Sequence, residues 1–409
     1  MFDFTPTEEQ EALKTMVREF VDREVKPKAP AYDAEPDPIK GIPWDIIKSA
    51  NELGLKDIAV RKELGGGGAD SQTLGMLVEE LAVGDLGTSV IYAQNWKVIQ
   101  ILQHAGTEEQ MKNYLVPLLE DPVGCCAVAL KEPESGSDHF IPIKDPKAGP
   151  KMSCVKDGDH VILNGTKEFI SNGYIAHLYI IFARSDPKAS LTEGMSAFIV
   201  PRELPGVDNF DGFRVGRVYD KIGERLAGNA ELIFEDCRVP VANMVAGWNT
   251  ALRDWVQISP QSNAYAGAST LGVGWAAFDR ALEYSQMRIQ GVKPIIKHAN
   301  ISIKLADMYA SLVSAQMMVR RGCWQADHPE YFDLRLARSI KPFCSKVVIK
   351  VALEAMQMFG GNGAMRDVGM EKLVRDATIF LHSDGTNDAL DRGTGELLAG
   401  SPIIRGRGL

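Results

Sequence analysis

Apolar residues recur at helical spacing in roughly the first 120 residues. Leu13, Met16, Val17 and Phe20 follow the capping-box sequence Thr7–Gln10, a pattern typical of the start of an amphipathic helix. The same periodicity predicts helices over Trp44–Leu53, Leu74–Leu86 and Thr107–Leu119. Residues 1–125 are therefore predicted to form an all-α domain.

The pattern changes near Cys126 to short β-branched and aromatic runs separated by turn residues. Strands are predicted over His160–Leu163, Leu178–Phe182, Ser196–Val200 and Glu231–Phe234. The stretch Ile141–Pro150 is punctuated by Pro and Gly and is expected to be an exposed loop. Residues 126–242 are predicted to form a β domain, either a small barrel or a sandwich.

Long helical periodicity returns after Gly247. It covers Ala264–Gln286, His298–Gln325 and Ser339–Met358, and the last of these stretches stops before Gly360, as a helix C-terminus should. We predict a four-helix bundle over residues 243–409 and an α+β fold for the whole chain.

Length, charge and cysteine content argue against several classes of function. The chain has 409 residues, more than one core usually holds, and its net charge of −9 includes no Lys/Arg run suited to a nucleic-acid backbone. Neither a signal peptide nor an apolar stretch of roughly 20 residues is evident, so a cytoplasmic protein without membrane contact is expected. Six cysteines are too sparse for a disulfide scaffold, and their spacing suggests no metal site.

Six short motifs occur in one order along nearly the whole chain. They are Leu130–Asp138, Gly165–Gly173, Lys221–Pro240, Tyr284–Arg288, Lys304–Met308 and Gln357–Gly363. Each is weak alone, but in this order they resemble the motifs of the acyl-CoA dehydrogenase flavoproteins. The resemblance implies an N-terminal helical domain, a middle β-barrel domain and a C-terminal four-helix bundle.

The resemblance also implies FAD as cofactor. Its predicted contacts are Phe169, Ser171 and Thr386 near the flavin ring, Arg288 at the pyrophosphate, and Gln357, Gly360 and Gly361 at the adenine-diphosphate half, from a neighbouring subunit. Glycines let a backbone approach a cofactor closely. The alternatives are a plain helix C-cap and turn for the glycines, and a solvated helix charge for Arg288. Lys131 and Phe169 depart from the family's Thr and Trp.

By the same resemblance, the acyl-CoA substrate is expected to contact Gly136, Ser137 and Gly385. A simple turn is the alternative for the first two. Tyr92, Gln94, Trp96 and Lys97 are expected on a helix that borders the acyl tail, where they set chain length or meet a polar end group. Plain core packing is the alternative reading of this group.

Asp384 is the candidate catalytic base, because it stands in His382–Thr386 where the family has a Glu that removes the proton α to the thioester. An Asp withdraws its carboxylate by about one C–C bond, ~1.5 Å. The other position at which some members keep a base falls at Ser262, which carries no carboxylate. The alternative is that Asp384 only caps a helix beginning near Thr386.

The exchange of Glu for Asp resembles alicyclic acyl-CoA dehydrogenases of the cyclohexanecarboxyl-CoA type. The exchange implies a ring-bearing acyl group. The family resemblance further implies electron transfer to an electron-transferring flavoprotein, and a homotetramer. Two other functions stay open. One is a nitroalkane oxidase-like enzyme, which also uses an Asp base, and the other is a flavin- or acyl-CoA-binding homologue without turnover.

Overall fold

The computed structural model describes residues 5–141 and 143–400, apart from the side chains of Val256 and Ile258. Three parts of the predicted segments lie outside the described residues. They are residues 1–4 and 401–409 of the terminal domains and Pro142 of the loop. Within the described ranges, helical segments precede and follow a central sheet. The predicted α+β architecture is confirmed.

The first helical segment contains α1 to α7. Their bounds are α1 Glu8–Phe20, α2 Ala29–Ala34, α3 Trp44–Glu52, α4 Ser71–Gly84, α5 Leu86–Ala105, α6 Glu108–Gln110 and α7 Val116–Glu120. Thr7 and Gln10 form both hydrogen bonds of the predicted capping box. Single π-helical turns, Val21–Val25 and Met111–Leu115, continue α1 and α6.

The helix predicted over Leu74–Leu86 is in fact the end of one helix and the start of another. The Asp85 carboxylate accepts a hydrogen bond from the Thr88 N–H (2.8 Å) and thereby starts α5. Every residue of α5 from Leu86 to Leu102 is buried. A helix buried on all sides lacks the one-sided apolar stripe that periodicity detects, which explains why its extent was not predicted.

The central sheet has eight strands. They are β1 Cys126–Ala129, β2 Ser153–Asp157, β3 His160–Ser171, β4 Leu178–Arg184, β5 Met195–Pro201, β6 Phe213–Val218, β7 Asn229–Pro240 and β8 Met244–Val245. Their order is β6-β7-β3-β2-β4-β5-β8, and β1 pairs in parallel with β4. All residues of β4 and β5 are buried, as expected for strands covered on both faces.

The predicted loop after Phe140 is exposed at residues 144–147 and half-buried on either side of them, but Gly149 and Pro150 are buried. The Arg184 guanidinium explains the difference, because it donates hydrogen bonds to the carbonyl oxygens of Ala148 (2.7 Å) and Pro150 (3.2 Å). The end of the loop is therefore fastened to β4.

The second helical segment contains α8 to α13 and a small hairpin. The bounds are α8 Trp255–Ile258, α9 Ser262–Met287, α10 Ala299–Asp327, α11 Leu334–Met358, α12 Met370–Ile379 and α13 Asn387–Ala399, with β9 Ile289–Gln290 and β10 Lys293–Pro294. Helix α9 packs against α4, α10 and α11. A Cβ at Gly272 would overlap the backbone of α4, so this glycine allows the two helices their close approach. No helix of the described ranges is both long and apolar enough to cross a membrane.

A buried ion cluster ties the two helical segments together. The Lys372 ammonium lies 2.7 Å from the Asp85 carboxylate at the start of α5 and 2.6 Å from Asp376. Asp376 in turn accepts the N–H of Glu224, from the segment between β6 and β7 (2.8 Å). These contacts fix α12, and with it the loop that follows, relative to α5 and the sheet.

Candidate active site

A cavity of about 80 Å³ lies where α5, β3 and the loop after α12 meet. Helix α5 contributes Gln94 and Lys97, and the loop contributes Ser383 and Asp384. Among the described residues that line it, Asp384 is the one carboxylate.

Asp384 occupies the left-handed backbone region, with φ 50°, and its side chain is 30% exposed. Its Oδ1 lies 4.0 Å from the Lys97 Nζ. The N-cap residue of α13 is Thr386, whose hydroxyl accepts a hydrogen bond from the Ala389 N–H (3.3 Å). The capping alternative for Asp384 is therefore wrong, and its carboxylate faces the cavity instead.

Lys341 of α11 fixes the loop that carries Asp384. Its buried ammonium donates hydrogen bonds to the carbonyl oxygens of Phe380 (2.9 Å) and Gly385, and to the Asn387 Oδ1 (2.9 Å). Burial lowers the pKa of Lys341 to about 7, although the charge of Asp384 opposes this shift. Sequence reasoning missed this residue. Its signal was a lysine on the apolar face of a helix, beside Ile340 and Cys344.

The predicted substrate residues adjoin the same loop. The Ser137 Oγ accepts the Thr386 N–H (3.0 Å), and Gly385, with φ 91°, packs so closely on the Phe140 ring that a Cβ would overlap it. Gly136 is exposed and has φ 48°. The structure thus brings the Gly136–Ser137 turn and the Asp384 loop together, and substrate contact there stays a prediction.

Phe169 and Ser171 reach the cavity from β3. The register of β3 against β7 shifts between Lys167 and Ile170, and within this irregularity Phe169 takes φ 56°. Its ring is 57% exposed and packs on Tyr219, with 4.9 Å between centroids. The exposed Phe169 ring and the Ser171 hydroxyl therefore both line the cavity.

Burial shifts the pKa of two further cavity residues, Lys131 and His139. Burial lowers the pKa of Lys131, and the charge of Asp384 acts in the opposite direction. Burial also lowers the pKa of His139 to about 3, helped by the charges of Lys131 and Arg338, so its imidazole is neutral. Sequence reasoning noted Lys131 only as a departure from the family motif and did not single out His139.

The remaining predicted cofactor residues lie at the far end of α9. Ser262 at one end lines the cavity, whereas Arg288 follows the last of the 26 helical residues, ~39 Å away at 1.5 Å per residue. The Phe359 ring stacks on Tyr284, one turn before Arg288, with 4.1 Å between centroids. This contact brings the Gly360 turn to the Arg288 end.

The far-end residues are exposed. Gln357, Gly360 and Gly361 are open to solvent, and no atom lies within 4 Å of a Cβ built at either glycine. The Arg288 guanidinium makes a hydrogen bond to Gln290 (3.0 Å). The structure therefore brings these four residues to one end of the bundle and separates them from the cavity of the same chain.

Three family models match the chain in succession. They are the acyl-CoA dehydrogenase N-terminal domain over residues 7–121, the middle domain over 127–237 and the C-terminal domain over 263–393. A short-chain-specific acyl-CoA dehydrogenase of Clostridium acetobutylicum is 34% identical over 390 residues, which cover 94% of this chain and 97% of that protein. The chain belongs to the acyl-CoA dehydrogenase family. The resemblance inferred from the six motifs is confirmed.

Solved structures agree with this membership. Butyryl-CoA dehydrogenase of Megasphaera elsdenii superimposes with a TM-score of 0.86 at 30% identity, over 97% of this chain and 100% of that one. A chain from a structure of the electron-transferring flavoprotein of Acidaminococcus fermentans gives a TM-score of 0.87 at 30% identity, over 98% and 100%. An acryloyl-CoA reductase (NADH) of Anaerotignum propionicum is also similar, at 33% identity over 94% of this chain and 93% of that protein.

The residues present fit the FAD of an acyl-CoA dehydrogenase. Phe169 offers an exposed aromatic face and Ser171 a hydroxyl at the cavity, which suits a flavin ring. At the far end, Gly360 and Gly361 leave open space for a phosphate-bearing group, and Arg288 supplies a cation. No group of three or more His, Cys, Asp or Glu side chains in the described ranges could hold a metal ion.

Proposed function

We propose that this acyl-CoA dehydrogenase uses Asp384 as the base that removes the proton α to the thioester. The observation that carries the proposal is the position of Asp384. It lies in the cavity, on a loop fixed by Lys341, together with the exposed Phe169 ring and the Ser171 hydroxyl. A base must be held within hydrogen-bond reach of the proton it abstracts, and this loop is restrained accordingly.

The residues around Asp384 prepare it for this role. The Lys97 Nζ lies 4.0 Å from the Asp384 Oδ1, so an amine adjoins the carboxylate at the cavity. A bound acyl chain would cover the exposed third of the side chain and exclude water from it. Ser137 and Gly136 are proposed to contact the thioester side of the substrate. When bound, FAD supplies the acceptor for the hydride that leaves the β-carbon.

We propose that each FAD is held by two protomers. Phe169, Ser171 and Thr386 of one protomer meet the flavin ring, and the Arg288–Gly361 end of another meets the diphosphate. The ~39 Å length of α9 supports this division. Exposed apolar side chains on α10 and α11 also support a homotetramer, since they would be buried between copies; they include Ile303, Tyr309, Phe343 and Leu353.

We also propose an acyl group, an electron acceptor and a cellular location. The shorter base favours a ring-bearing acyl group whose α-proton lies at a different height, as in cyclohexanecarboxyl-CoA. The similarity to a chain from a structure of an electron-transferring flavoprotein supports that class of acceptor. A cytoplasmic location agrees with the lack of a membrane-spanning helix in the described ranges.

The deciding experiment is anaerobic mixing of the FAD-loaded protein with butyryl-CoA and cyclohexanecarboxyl-CoA while flavin absorbance is recorded. One of these thioesters should bleach the flavin. Asp384→Asn should slow bleaching by about 10²–10⁴-fold, the usual contribution of a general base. Asp388→Asn is the matched control, because Asp388 is an exposed carboxylate four residues further on. Equal slowing in both variants would contradict the assignment of the base.

The same experiment separates the other functions. Bleaching by a nitroalkane without any CoA thioester, followed by rapid reoxidation with oxygen, would identify an oxidase. A purified protein that binds FAD and acyl-CoA but shows no bleaching with any thioester would be a binding homologue.

A further inference from the structure

The polar side chains of α5 divide into two groups. Away from the cavity they are paired. The Asn95 Oδ1 accepts the Cys126 N–H (2.7 Å), and the Gln100 Oε1 accepts a hydrogen bond from the Gln261 amide (2.8 Å). Such pairing is the rule for buried polar groups.

Gln94 and Lys97 differ from these residues in having no hydrogen-bond partner among the described residues, although the Lys97 Nζ lies 4.0 Å from the Asp384 Oδ1. They are 7% and 4% exposed, and neither forms a hydrogen bond with any residue that the structure describes. Three positions apart on a helix, they project from the same face, and both line the cavity. Their donors are therefore directed at whatever fills the cavity.

The charges in the cavity are also unbalanced. Lys97 and Lys131 present two amino groups, whereas Asp384 is the single carboxylate among the described lining residues. The Lys131 amine donates no hydrogen bond within the described ranges, and the lining His139 is neutral. Buried charge is unfavourable unless it is paired, so an anion entering this cavity would be stabilised.

Resting on the dehydrogenase function proposed above, we propose that the acyl group carries a free carboxylate, bound by the Lys97 ammonium and the Gln94 amide. The substrate class is then the mono-CoA thioester of a dicarboxylic acid, whether its carbon chain is linear or contains the ring that the shorter base favours. The α C–H bond gives its proton to Asp384 and the β C–H bond gives its hydride to FAD. A C=C bond forms between these carbons, and the free carboxylate is unchanged.

The test compares glutaryl-CoA with pentanoyl-CoA, because their five-carbon chains differ only in a terminal carboxylate or methyl group. We expect the FAD-loaded enzyme to favour glutaryl-CoA by tenfold or more in kcat/KM. Lys97→Met should lose about 10²-fold more on glutaryl-CoA than on pentanoyl-CoA. Both thioesters lose the amine beside Asp384, but only glutaryl-CoA also loses the buried partner of its carboxylate. Lys97→Arg should keep the preference.

A second readout is the affinity of each acyl-CoA, measured by calorimetry with FAD content as the check on folding. Tighter binding of glutaryl-CoA that Lys97→Met abolishes would support the carboxylate site even if no thioester were oxidised, in which case only the dehydrogenase function would fail. Equal losses on both thioesters in Lys97→Met would overturn the inference, because Lys97 would then serve Asp384 alone. A wild-type preference for pentanoyl-CoA would also overturn the inference. So would loss of the preference for glutaryl-CoA in Lys131→Met if Lys97→Met kept that preference.

Discussion

The two ends of the proposed cofactor site are built differently. At the cavity, the Asp384 loop accepts hydrogen bonds from the Lys341 ammonium and packs against the Phe140 ring. Both residues belong to the same chain as the loop. At the far end of α9, the Gly360–Gly361 turn is exposed and its glycines face open space. The proposed base is thus held by contacts within one protomer, whereas the proposed contacts at the far end need a cofactor and another copy.

Lys341→Met should have the largest effect, because it leaves the buried acceptors of the loop unpaired. We expect a loss of about 2–3 kcal/mol in the free energy of unfolding. A loop displacement of ~1 Å would also lower kcat/KM by about 10²-fold. Urea unfolding and steady-state assays measure the two effects.

Lys350→Met is the matched control for Lys341→Met. Lys350 pairs with Asp307 at 2.8 Å, but both side chains are about 60% exposed. Such an exposed pair contributes little to stability, so Lys350→Met should leave the free energy of unfolding nearly unchanged. A wild-type kcat/KM in Lys341→Met would show that the loop is positioned by other contacts.

A pair of alanine substitutions compares the two ends directly. Gly385→Ala should cost about 1–3 kcal/mol, because φ is 91° and the new Cβ would overlap the Phe140 ring. Gly361→Ala should change the stability of the FAD-free protein by less than about 0.5 kcal/mol, since its Cβ meets no atom within 4 Å. Thermal unfolding of the two FAD-free variants measures these changes. Equal losses of stability in both variants would show that the two ends do not differ in how tightly they are packed.

The cavity end should also respond to pH through Lys341. Its pKa of about 7 in the folded protein lies below the ordinary value of 10.5, so between these values the unfolded chain binds more protons. The contribution of this group to stability therefore rises with pH in that window. The stability of the wild type relative to Lys341→Met should increase by roughly 2–3 kcal/mol between pH 6.5 and 9. A constant difference would mean that the surrounding carbonyl oxygens keep the ammonium charged.

Arg288→Gln should have the smallest effect on the FAD-free protein, within about 0.5 kcal/mol, because its guanidinium is exposed. Its FAD dissociation constant should nevertheless rise about tenfold, through loss of a charge-assisted contact to phosphate. Arg392→Gln, on the exposed face of α13, is the control that should leave FAD binding unchanged. Unaltered FAD binding in Arg288→Gln would identify Arg288 as a solvated charge.

Sequence periodicity predicted the elements with one exposed and one buried face, such as α1 and α10. It failed for α5, whose burial on every side removes the periodic signal. The boundary at Asp85 was missed for a related reason, because one capping side chain separates two apolar runs.

The candidate site was predicted only in part. The motifs identified Asp384, Phe169 and Ser171, and the structure brings them to one cavity. The contacts of Lys341 and Lys97 join residues dozens to hundreds of positions apart, and nothing in the local sequence of either lysine reveals its partner. Such pairings depend on tertiary packing, which a single sequence does not display.

The left-handed backbone of Asp384 links the turn to the choice of base. Asp and Asn tolerate this conformation better than most residues with a side chain, because a short polar group interacts favourably with the nearby backbone. A Glu here would extend the carboxylate by ~1.5 Å but would fit the turn less readily. The same residue thus sets the path of the loop and is the proposed acceptor of the proton, so any attempt to lengthen the base also alters the path of the chain.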